Sequence, residues 1–332
     1  MFQVAISQLT TSRSDLSEEI ASLAGHGFDC LSLWRAKLSD IGHTAAASML
    51  TGAGIRVSSL QWAGGFTGGD GRTFAESIED AAEAIDTAAA VGAPILVIHS
   101  GCRGGHTRAH ARRLLVQALE TLAPLANRAG VVLAVKPLHA AAAPGCSFLT
   151  RAIDALDLVE NLSDSAVRLA VDLWQFADDP ELPRLLPRLA AATAVVQVAD
   201  RIGPPTIELE RLPAGHGTLP LESLVLALVD QGYGGTFEFD PVGDTVAAIG
   251  YDRVLQETRM VADSWAVAVE ERLLWCRAAA AVWQTAGHRL AAATAAGSGL
   301  DQRSWSLMWS GGQFRSTGSR RSHASHQIVS RG

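Results

Sequence analysis

The stretch VVLAVKPLH, residues 131–139, contains the pattern that is repeated along most of the chain. Five apolar residues lead to Lys136, and Pro137 follows immediately. A short apolar run bounded by a proline predicts a buried β-strand. Lysine is rarely buried without a partner, and the chain contains only two lysines, Lys37 and Lys136. This strand therefore brings a scarce cation to its C-terminal end.

Seven further apolar runs occur between residue 2 and about residue 263. They are FQVAIS (2–7), CLSLW (30–34), IRVSSL (55–60), ILVIHS (95–100), VRLAVD (167–172), AVVQV (194–198) and GTFEFD (235–240). Longer segments with helical periodicity separate them, and several of these end in Gly, as helices often do. Such alternation predicts a parallel sheet. Eight strand–helix units in about 260 residues predict an α/β fold of the (β/α)8 TIM barrel type.

A doubly wound open sheet is the alternative architecture for the same alternation. It is disfavoured because no GxGxxG sequence follows the first strand and no GxxxxGK[ST] sequence occurs in the chain. We expect the barrel to occupy residues 1–265, and residues 266–332 to form an Ala-rich helix and a Ser/Gly/Arg-rich tail. The tail composition predicts a disordered extension, with a nucleic-acid-binding arm as the less favoured alternative.

Charge and cysteine content limit the class of protein. The formal net charge is -7 and the pI about 5.8, which gives no general attraction to nucleic acid or to an anionic membrane. The four cysteines form no CxxC pair and no zinc-type spacing, which favours free thiols in a reducing compartment. Neither a signal peptide nor a membrane span is predicted. We therefore expect a cytoplasmic protein.

Active sites of (β/α)8 barrels lie at the C-terminal ends of the strands. The fifth, sixth and eighth predicted strands end in Lys136, Asp172 and Asp240, and Gln197 lies near the end of the seventh. Because side chains alternate along a strand, Glu238 shares a face with Asp240. The second half of the barrel thus directs one cation, an amide and two or three acids towards one mouth.

The first half of the barrel contributes fewer polar candidates, namely Ser58, Gln61 and His99. Several candidates also have a structural interpretation. His99 could be a hydrogen-bonded core histidine, Asp172 a helix-cap acid, and Glu238 the partner of an arginine. For Lys136 the structural interpretation is a salt bridge to a neighbouring aspartate, which is compatible with a catalytic role.

Five motifs carry a resemblance to a known family: AVKPLH (134–139), AVDLWQFADDP (170–180), VVQVADR (195–201), ERLPAGHGTLPL (210–221) and GYGGTFEFDP (232–241). With these motifs the chain resembles the sugar phosphate isomerase/epimerase family, or xylose isomerase-like TIM barrels, over about residues 2–263. The resemblance implies an enzyme that transfers protons between neighbouring carbons of a small sugar or hydroxy-carbonyl substrate.

The resemblance also implies a divalent metal site, for Mn²⁺ or Mg²⁺, built from Glu, Asp, His and Glu on strands five to eight. Asp172 matches the Asp, but Lys136 and Gln197 stand at the first Glu and the His, and Asp240 with Glu238 beside it stands at the second Glu. An ammonium repels a metal ion, and an amide is a weaker ligand. We expect no cofactor, with weak binding of a divalent metal by Asp172 and Asp240 as the alternative. Lys136 is predicted to replace a metal-ligand carboxylate.

The predicted catalytic residues are Lys136, Asp172, Asp240 and Glu238. The predicted substrate-binding residues are Arg211, Gln197, Gln175 and His99. Of these, Arg211 matches the arginine with which the family holds its substrate, and Gln175 replaces a second histidine of the family. The expected partner is a small sugar-like molecule, and the fold leaves a homo-oligomer open.

Two classes of function are compatible with these residues. In an enzyme, Lys136 would polarise a carbonyl as a metal does, for isomerisation, epimerisation or a lyase or dehydratase reaction. The alternative is a non-catalytic sugar-binding or regulatory paralogue that has lost the metal chemistry. The retained polar groups favour the enzyme. A Schiff base on Lys136 is less favoured because it needs a neutral amine.

Overall fold

The structure, a computed structural model, describes residues 2–142, 145–162, 164–206 and 210–295, with side chains described to residue 275. Within them, eight parallel strands form a closed barrel in sequence order. The strands are β1 (Gln3–Ser7), β2 (Cys30–Trp34), β3 (Arg56–Gly64), β4 (Ile95–His99), β5 (Val132–Lys136), β6 (Val167–Asp172), β7 (Thr193–Val198) and β8 (Thr236–Phe239). The predicted (β/α)8 barrel is confirmed.

Helices follow the strands around the outside of the barrel. They are α1 (Leu16–Gly25), α2 (Arg35–Ile41), α3 (His43–Gly52), α4 (Phe74–Ala90), α5 (Arg108–Ala129), α6 (Ala152–Leu162), α7 (Leu173–Phe176), α8 (Leu182–Ala192), α9 (Leu221–Asp230), α10 (Asp244–Ile249) and α11 (Tyr251–Ala295). Local sequence fixes several helix ends. Asp15 and Glu18 form a capping box at the start of α1, and Gly130, with φ of 69°, ends α5 in the left-handed conformation.

The C-terminal helix begins well before the Ala-rich segment that is predicted to follow the barrel. The chain breaks at Gly250, where φ is 90°, and α11 then runs from Tyr251 to Ala295. The predicted boundary at residue 265 lies inside this helix, and the domain assignment stays a prediction.

The chain divides into two compact units, Met1–Leu274 and a second unit that begins at Trp275. The predicted disordered tail lies outside the described residues. None of the helices that the structure describes combines the length and the apolar character needed to cross a membrane.

The barrel closes because β1 pairs with both β2 and β8, so that Ile6 lies opposite Leu31 on one side and Phe239 on the other. The register of the later strands aligns their polar ends. Gln197 lies opposite Asp172 on β6 and opposite Glu238 on β8. Residues at the same level of a parallel sheet share a face, so these three side chains enter the barrel together.

A small apolar layer fills the barrel interior below the polar residues. It consists of Ile95, Val97, Ala134, Ala170 and Val195. Two positions further along the same strands, on the same face, come His99, Lys136, Asp172 and Gln197. The intervening residues pack outward into the main core between sheet and helices. Burial on both faces explains why the strands are nearly continuous apolar runs.

Candidate functional site

A cavity of about 740 Å³ opens at the C-terminal ends of the strands. Six of the predicted site residues line it: His99, Lys136, Gln175, Gln197, Arg211 and Asp240. The other two, Asp172 and Glu238, are fully buried and are absent from the described cavity lining. The structure therefore places all eight predicted residues at one barrel mouth, in or directly beneath the cavity wall.

Asp172 combines the structural roles that the sequence left open. Its carboxylate accepts a hydrogen bond from the backbone N–H of Trp174 at 3.1 Å, which caps α7, and it lies 2.9 Å from the Nζ of Lys136. Burial alone raises the pKa of Asp172, but the charges of Arg211 and Lys136 outweigh burial and hold the pKa well below its ordinary value. The two cations therefore favour the ionised form of Asp172.

Arg211 lies between two carboxylates. Its guanidinium donates two hydrogen bonds to Asp172, at 3.1 and 2.8 Å, and one to a carboxylate oxygen of Asp240 at 2.7 Å. Its Nε donates to the backbone carbonyl of Asp240 at 3.2 Å, and its Cζ lies 5.1 Å from the centre of the Trp174 ring. The side chain is 7 % exposed. Arg211 is thus an internal cation that joins the two acids.

The sequence also allows a surface salt bridge between Arg211 and Glu208 or Glu210 of the same loop. The carboxylate of Glu210 accepts hydrogen bonds from the backbone N–H groups of Asp244 and Thr245, at 3.1 and 2.9 Å. Glu208 lies outside the described residues. Instead, the backbone of Arg211 forms a two-way bridge with Val242, and this bridge turns the side chain into the barrel mouth.

Asp240 follows β8 directly and lines the cavity. Burial, with the nearby negative charge of Asp172, raises the pKa of Asp240 to about 6, against the opposing charges of Arg211 and Lys136. A carboxyl group with this pKa is mainly ionised at neutral pH and can still accept a proton, which suits general acid–base chemistry.

The structural interpretation of Glu238 was a pairing with an arginine. In the structure, four uncharged donors hold its carboxylate instead. Ser58 and Ser59 donate to one oxygen at 2.7 and 2.5 Å, and Gln61 and Gln197 donate to the other, each at 3.2 Å. Burial raises the pKa of Glu238 above its ordinary value. Glu238 is therefore the centre of a buried hydrogen-bond network below the cavity.

Sequence analysis missed the part that Ser59 takes in this network. Consecutive residues of a regular strand point to opposite faces, yet the side chains of Ser58 and Ser59 both reach Glu238. The pairing of β3 is irregular with both neighbours, between Leu31 and Leu33 and between Leu60 and Ala63. Such irregularities redirect side chains near active sites, and no turn residue in the sequence marks this one.

Lys136 and His99 are neighbours on the cavity wall, opposite each other in the β4–β5 register. The His99 ring stacks on Trp62, with ring centres 5.2 Å apart and planes 5° apart. Burial, assisted by the charge of Lys136, lowers the pKa of His99 to about 3, so the imidazole is neutral. Its Nε2 is buried without a hydrogen-bond partner among the described residues, so His99 is not a hydrogen-bonded core histidine.

Two amide side chains complete the predicted set. The Oε1 of Gln175 accepts a hydrogen bond from the backbone N–H of His139 at 2.8 Å. Gln197 donates to Glu238, while its Oε1 is buried and has no partner among the described residues. Gln197 therefore presents an unused acceptor beside the cavity.

The rim of the cavity contains a salt-bridge network that the strand ends could not indicate, because its residues lie on helices and a loop. Arg35 and Arg72 both contact Asp80, each at 2.9 Å, and Arg72 also contacts Asp70 at 2.6 Å. The four side chains are between 26% and 39% exposed. The network joins α2, α4 and the loop that follows β3.

The residues at the barrel mouth do not fit the divalent metal that the family resemblance implies. Among the described residues, no three His, Cys, Asp or Glu side chains cluster as metal ligands. Asp172 and Asp240 are both bound to Arg211, and Lys136 adds a second positive charge. A hard divalent ion needs several oxygen ligands free to turn towards it. Here the space between the two acids is already occupied by a cation.

Solved structures resemble this barrel. Protein SMc04130 from Sinorhizobium meliloti 1021 is 26% identical, with 78% of this chain and 96% of that chain covered and a TM-score of 0.72. D-psicose 3-epimerase from Clostridium cellulolyticum H10, solved with D-tagatose, is 13% identical, with 81% and 99% covered and a TM-score of 0.67. The 3-keto-D-glucoside 4-epimerase of E. coli is 15% identical, with 78% and 100% covered and a TM-score of 0.65. The similarity to the two epimerases shows a shared fold.

No curated protein sequence matches the chain. A family model described as xylose isomerase-like TIM barrel matches residues 20–263, which contain seven of the eight strands and every predicted site residue. The resemblance inferred from the five motifs is confirmed, and the chain belongs to the xylose isomerase-like TIM barrel family.

Proposed function

We propose that the protein is a sugar isomerase or epimerase that transfers a proton on a small hydroxy-carbonyl substrate, using internal cations where its relatives use a metal. The observation that carries the proposal is the series Lys136, Asp172, Arg211 and Asp240, in which each residue contacts the next. A cation and a carboxyl group of raised pKa both face the cavity. Two epimerases among the fold neighbours support the class of reaction.

Lys136 is the proposed electrophile. Its side chain is 10% exposed and Asp172 holds its Nζ at 2.9 Å, so the ammonium group is fixed in a largely water-free wall. A carbonyl oxygen bound there would be polarised, and the negative charge that develops on it in an enediolate would be stabilised. A fixed charge needs little reorganisation during the reaction, which is the main advantage over a charge in water.

Asp240 is the proposed base. At neutral pH its carboxylate would remove the proton from the carbon next to the carbonyl, and the electron pair would move to the oxygen at Lys136. Isomerisation is complete when the proton returns to the former carbonyl carbon and the neighbouring hydroxyl group passes its own proton to the oxygen at Lys136, so that the carbon bearing that hydroxyl group becomes the new carbonyl. Because this shift needs one base on one face of the substrate, we favour isomerisation over epimerisation, which needs a donor on the opposite face.

Arg211 and Glu238 are assigned positioning roles in this proposal. Among the described residues, the acids that Arg211 contacts are Asp172 and Asp240. Arg211 therefore supports the base, and it is less free to bind the substrate than its family position implies. Glu238 lies below the cavity, where it orients Gln197 through a hydrogen bond of 3.2 Å. Gln175, Gln197 and His99 keep their predicted substrate-binding role.

The proposal is tested by following deuterium from solvent into the carbon-bound positions of ketoses and aldoses by NMR, with purified full-length protein treated with EDTA. We expect exchange into at least one substrate, retained after EDTA treatment and lost in Lys136→Met and Asp240→Asn. Exchange that disappears with EDTA and returns with Mn²⁺ would contradict the metal-independent mechanism. If no exchange occurs under any of these conditions, the proposal that the protein is an enzyme of this class is contradicted.

A non-catalytic sugar-binding paralogue is the second candidate, and one observation favours it. The carboxylate of Asp240 accepts a hydrogen bond of 2.7 Å from Arg211, and this contact would compete with proton transfer. In that case a sugar would bind without deuterium exchange. A lyase or dehydratase is a variant of the first proposal, since loss of a neighbouring hydroxyl group from the same enediolate gives a dehydrated product.

A further inference from the structure

We infer that the cavity accepts an uncharged polyhydroxylated carbonyl compound, and not a sugar phosphate or a sugar acid. This inference rests on the proposed function and narrows its substrate class. It follows from the pairing of every cation on the cavity wall, from two unused neutral polar atoms and from an exposed aromatic ring inside the cavity.

Four cations belong to the described lining of the cavity: Arg35, Arg72, Lys136 and Arg211. Each has an acidic partner within 2.9 Å. Arg35 contacts Asp80, Arg72 contacts Asp70 and Asp80, Lys136 contacts Asp172, and Arg211 contacts Asp172 and Asp240. The positive charges of the four cations are balanced by the negative charges of the four acids that hold them. The described part of the wall therefore carries no unpaired positive charge for an anionic group.

A phosphate or carboxylate group that formed an ion pair with one of these cations would compete with the acid that already holds it, and would displace that acid where the two bind the same donors. The displaced acid would remain nearby, and like charges at such a distance repel strongly in a protein environment. A buried charge without a partner is also unfavourable in itself. Arg103 and Arg108 line a separate hollow, and the one described residue that it shares with the cavity is Cys102. These two arginines are therefore not counted in the charge balance of the cavity wall.

The polar groups that remain unused in the cavity wall are neutral. The Nε2 of His99 and the Oε1 of Gln197 are buried side-chain atoms without a hydrogen-bond partner among the described residues, and both residues line the cavity. Buried polar atoms are nearly always hydrogen-bonded in the working state of a protein. A hydroxyl group both donates and accepts, so hydroxyl groups of one ligand can satisfy both atoms.

Trp62 adds an apolar surface of the kind that a sugar needs. It is 40% exposed although it lines the cavity, and its ring is stacked parallel to His99. A large aromatic ring in a concave site offers a flat contact for the C–H face of a sugar, while neighbouring polar groups bind the hydroxyl groups. The ring and the two unused polar atoms therefore favour the same neutral ligand class.

The test compares matched pairs by calorimetry with the full-length protein: D-fructose with D-fructose 6-phosphate, and dihydroxyacetone with dihydroxyacetone phosphate. We expect at least one neutral member to bind about tenfold more tightly, or better, than its phosphate. Phosphate members that bind as tightly as the neutral ones overturn the inference, and so does the absence of binding by both neutral members.

Asp80→Asn gives the test a second arm, because it leaves Arg35 and Arg72 with one acid between them. We expect this variant to shift the affinity ratio towards the phosphate member by roughly tenfold. Asp157→Asn, which removes an acid from an exposed pair with Arg188 away from the cavity, is the matched control and should leave the ratio unchanged. An unchanged ratio in Asp80→Asn would contradict the role assigned to charge pairing.

Deuterium exchange separates this inference from the proposed function. If a neutral sugar binds without deuterium exchange, the inferred substrate class stands and the proposed enzymatic activity is wrong. If a sugar phosphate binds tightly and exchanges deuterium, the proposed enzymatic activity stands and the inferred substrate class is wrong.

Discussion

Arg211 binds Asp172 through two parallel hydrogen bonds, of 3.1 and 2.8 Å, at the centre of the barrel mouth. Both side chains are almost completely buried. An ion pair in such a place contributes little net stability compared with apolar packing, but removal of one partner leaves a buried charge that nothing compensates. The pair therefore makes the site sensitive to single substitutions and tolerant of coordinated ones.

Arg211→Met should lower the free energy of unfolding by about 3–5 kcal/mol, because it leaves Asp172 and Asp240 to repel each other inside the barrel. Arg188→Met removes an exposed arginine with two acidic partners and should lower the free energy of unfolding far less, because solvent screens an exposed ion pair. Urea unfolding measures both. If both variants lost the same free energy of unfolding, burial of the Arg211 ion pair would not increase the cost of removing one partner.

Metal binding should depend on Arg211 as well as on Lys136. The wild-type protein should bind Mn²⁺ weakly, and Lys136→Glu with Gln197→His should improve binding only modestly, since Arg211 still lies between the two aspartates. Addition of Arg211→Ala should tighten binding by about tenfold or more, because it frees two carboxylates as ligands. Calorimetry with Mn²⁺ provides the comparison. Micromolar affinity in the wild-type protein would contradict the view that internal cations occupy the metal position.

Asp240→Asn should reduce the rate of deuterium exchange into a bound sugar by about 10²–10⁴-fold, since the amide cannot accept the proton. Gln175→Ala is the control, because it removes a lining side chain that takes no part in the proposed proton transfer. Its effect should fall on substrate affinity rather than on the exchange rate at saturation. If Asp240→Asn behaved like Gln175→Ala, another group would have to be the base.

Stability should fall in mild acid because of His99. The pKa of this imidazole is about 3 in the folded protein and about 6.5 in an unfolded chain, so protons bind the unfolded state first. Stability that is present above pH 6.5 is therefore lost as the pH falls towards 3. Between pH 7 and pH 5 this group should cost about 2 kcal/mol.

Urea unfolding of wild type and His99→Gln at pH 7, 6 and 5 measures the effect of His99. The difference in free energy of unfolding between wild type and His99→Gln should decrease by about 2 kcal/mol from pH 7 to pH 5. His43→Gln, at an exposed position, should show the same pH dependence as wild type. Parallel curves for wild type and His99→Gln would mean that the imidazole is not held neutral by the fold.

The fold and much of the site could be predicted because both depend on short-range patterns. Alternating apolar runs specify the strands, and the last residues of those strands, such as Lys136 and Asp172, must meet at one edge of a parallel barrel. Gln197 follows from the same reasoning. The family motifs then supply Arg211 by position, although they imply that it contacts substrate and give no sign that it contacts two acids.

The remaining features depend on contacts that no local pattern encodes. Arg211 reaches Asp172 because its backbone pairs with Val242, just beyond the end of β8. Ser59 reaches Glu238 together with Ser58 because the pairing of β3 with β2 is irregular at these two residues. The partnership of Arg35 with Asp80 joins residues 45 positions apart on two helices. Each case is a tertiary arrangement in which side-chain direction, and not residue type alone, decides the partner.

The apolar layer inside the barrel has a consequence for protein engineering. Because Ile95, Val97, Ala134, Ala170 and Val195 fill the space beneath the polar residues, the packing that maintains the barrel is largely separate from the groups that meet a ligand. A designer can exchange the charged residues above this layer as a set, with their charges balanced, while the layer keeps the strands in place. The chain therefore offers a scaffold on which new catalysts that need no metal can be built and selected.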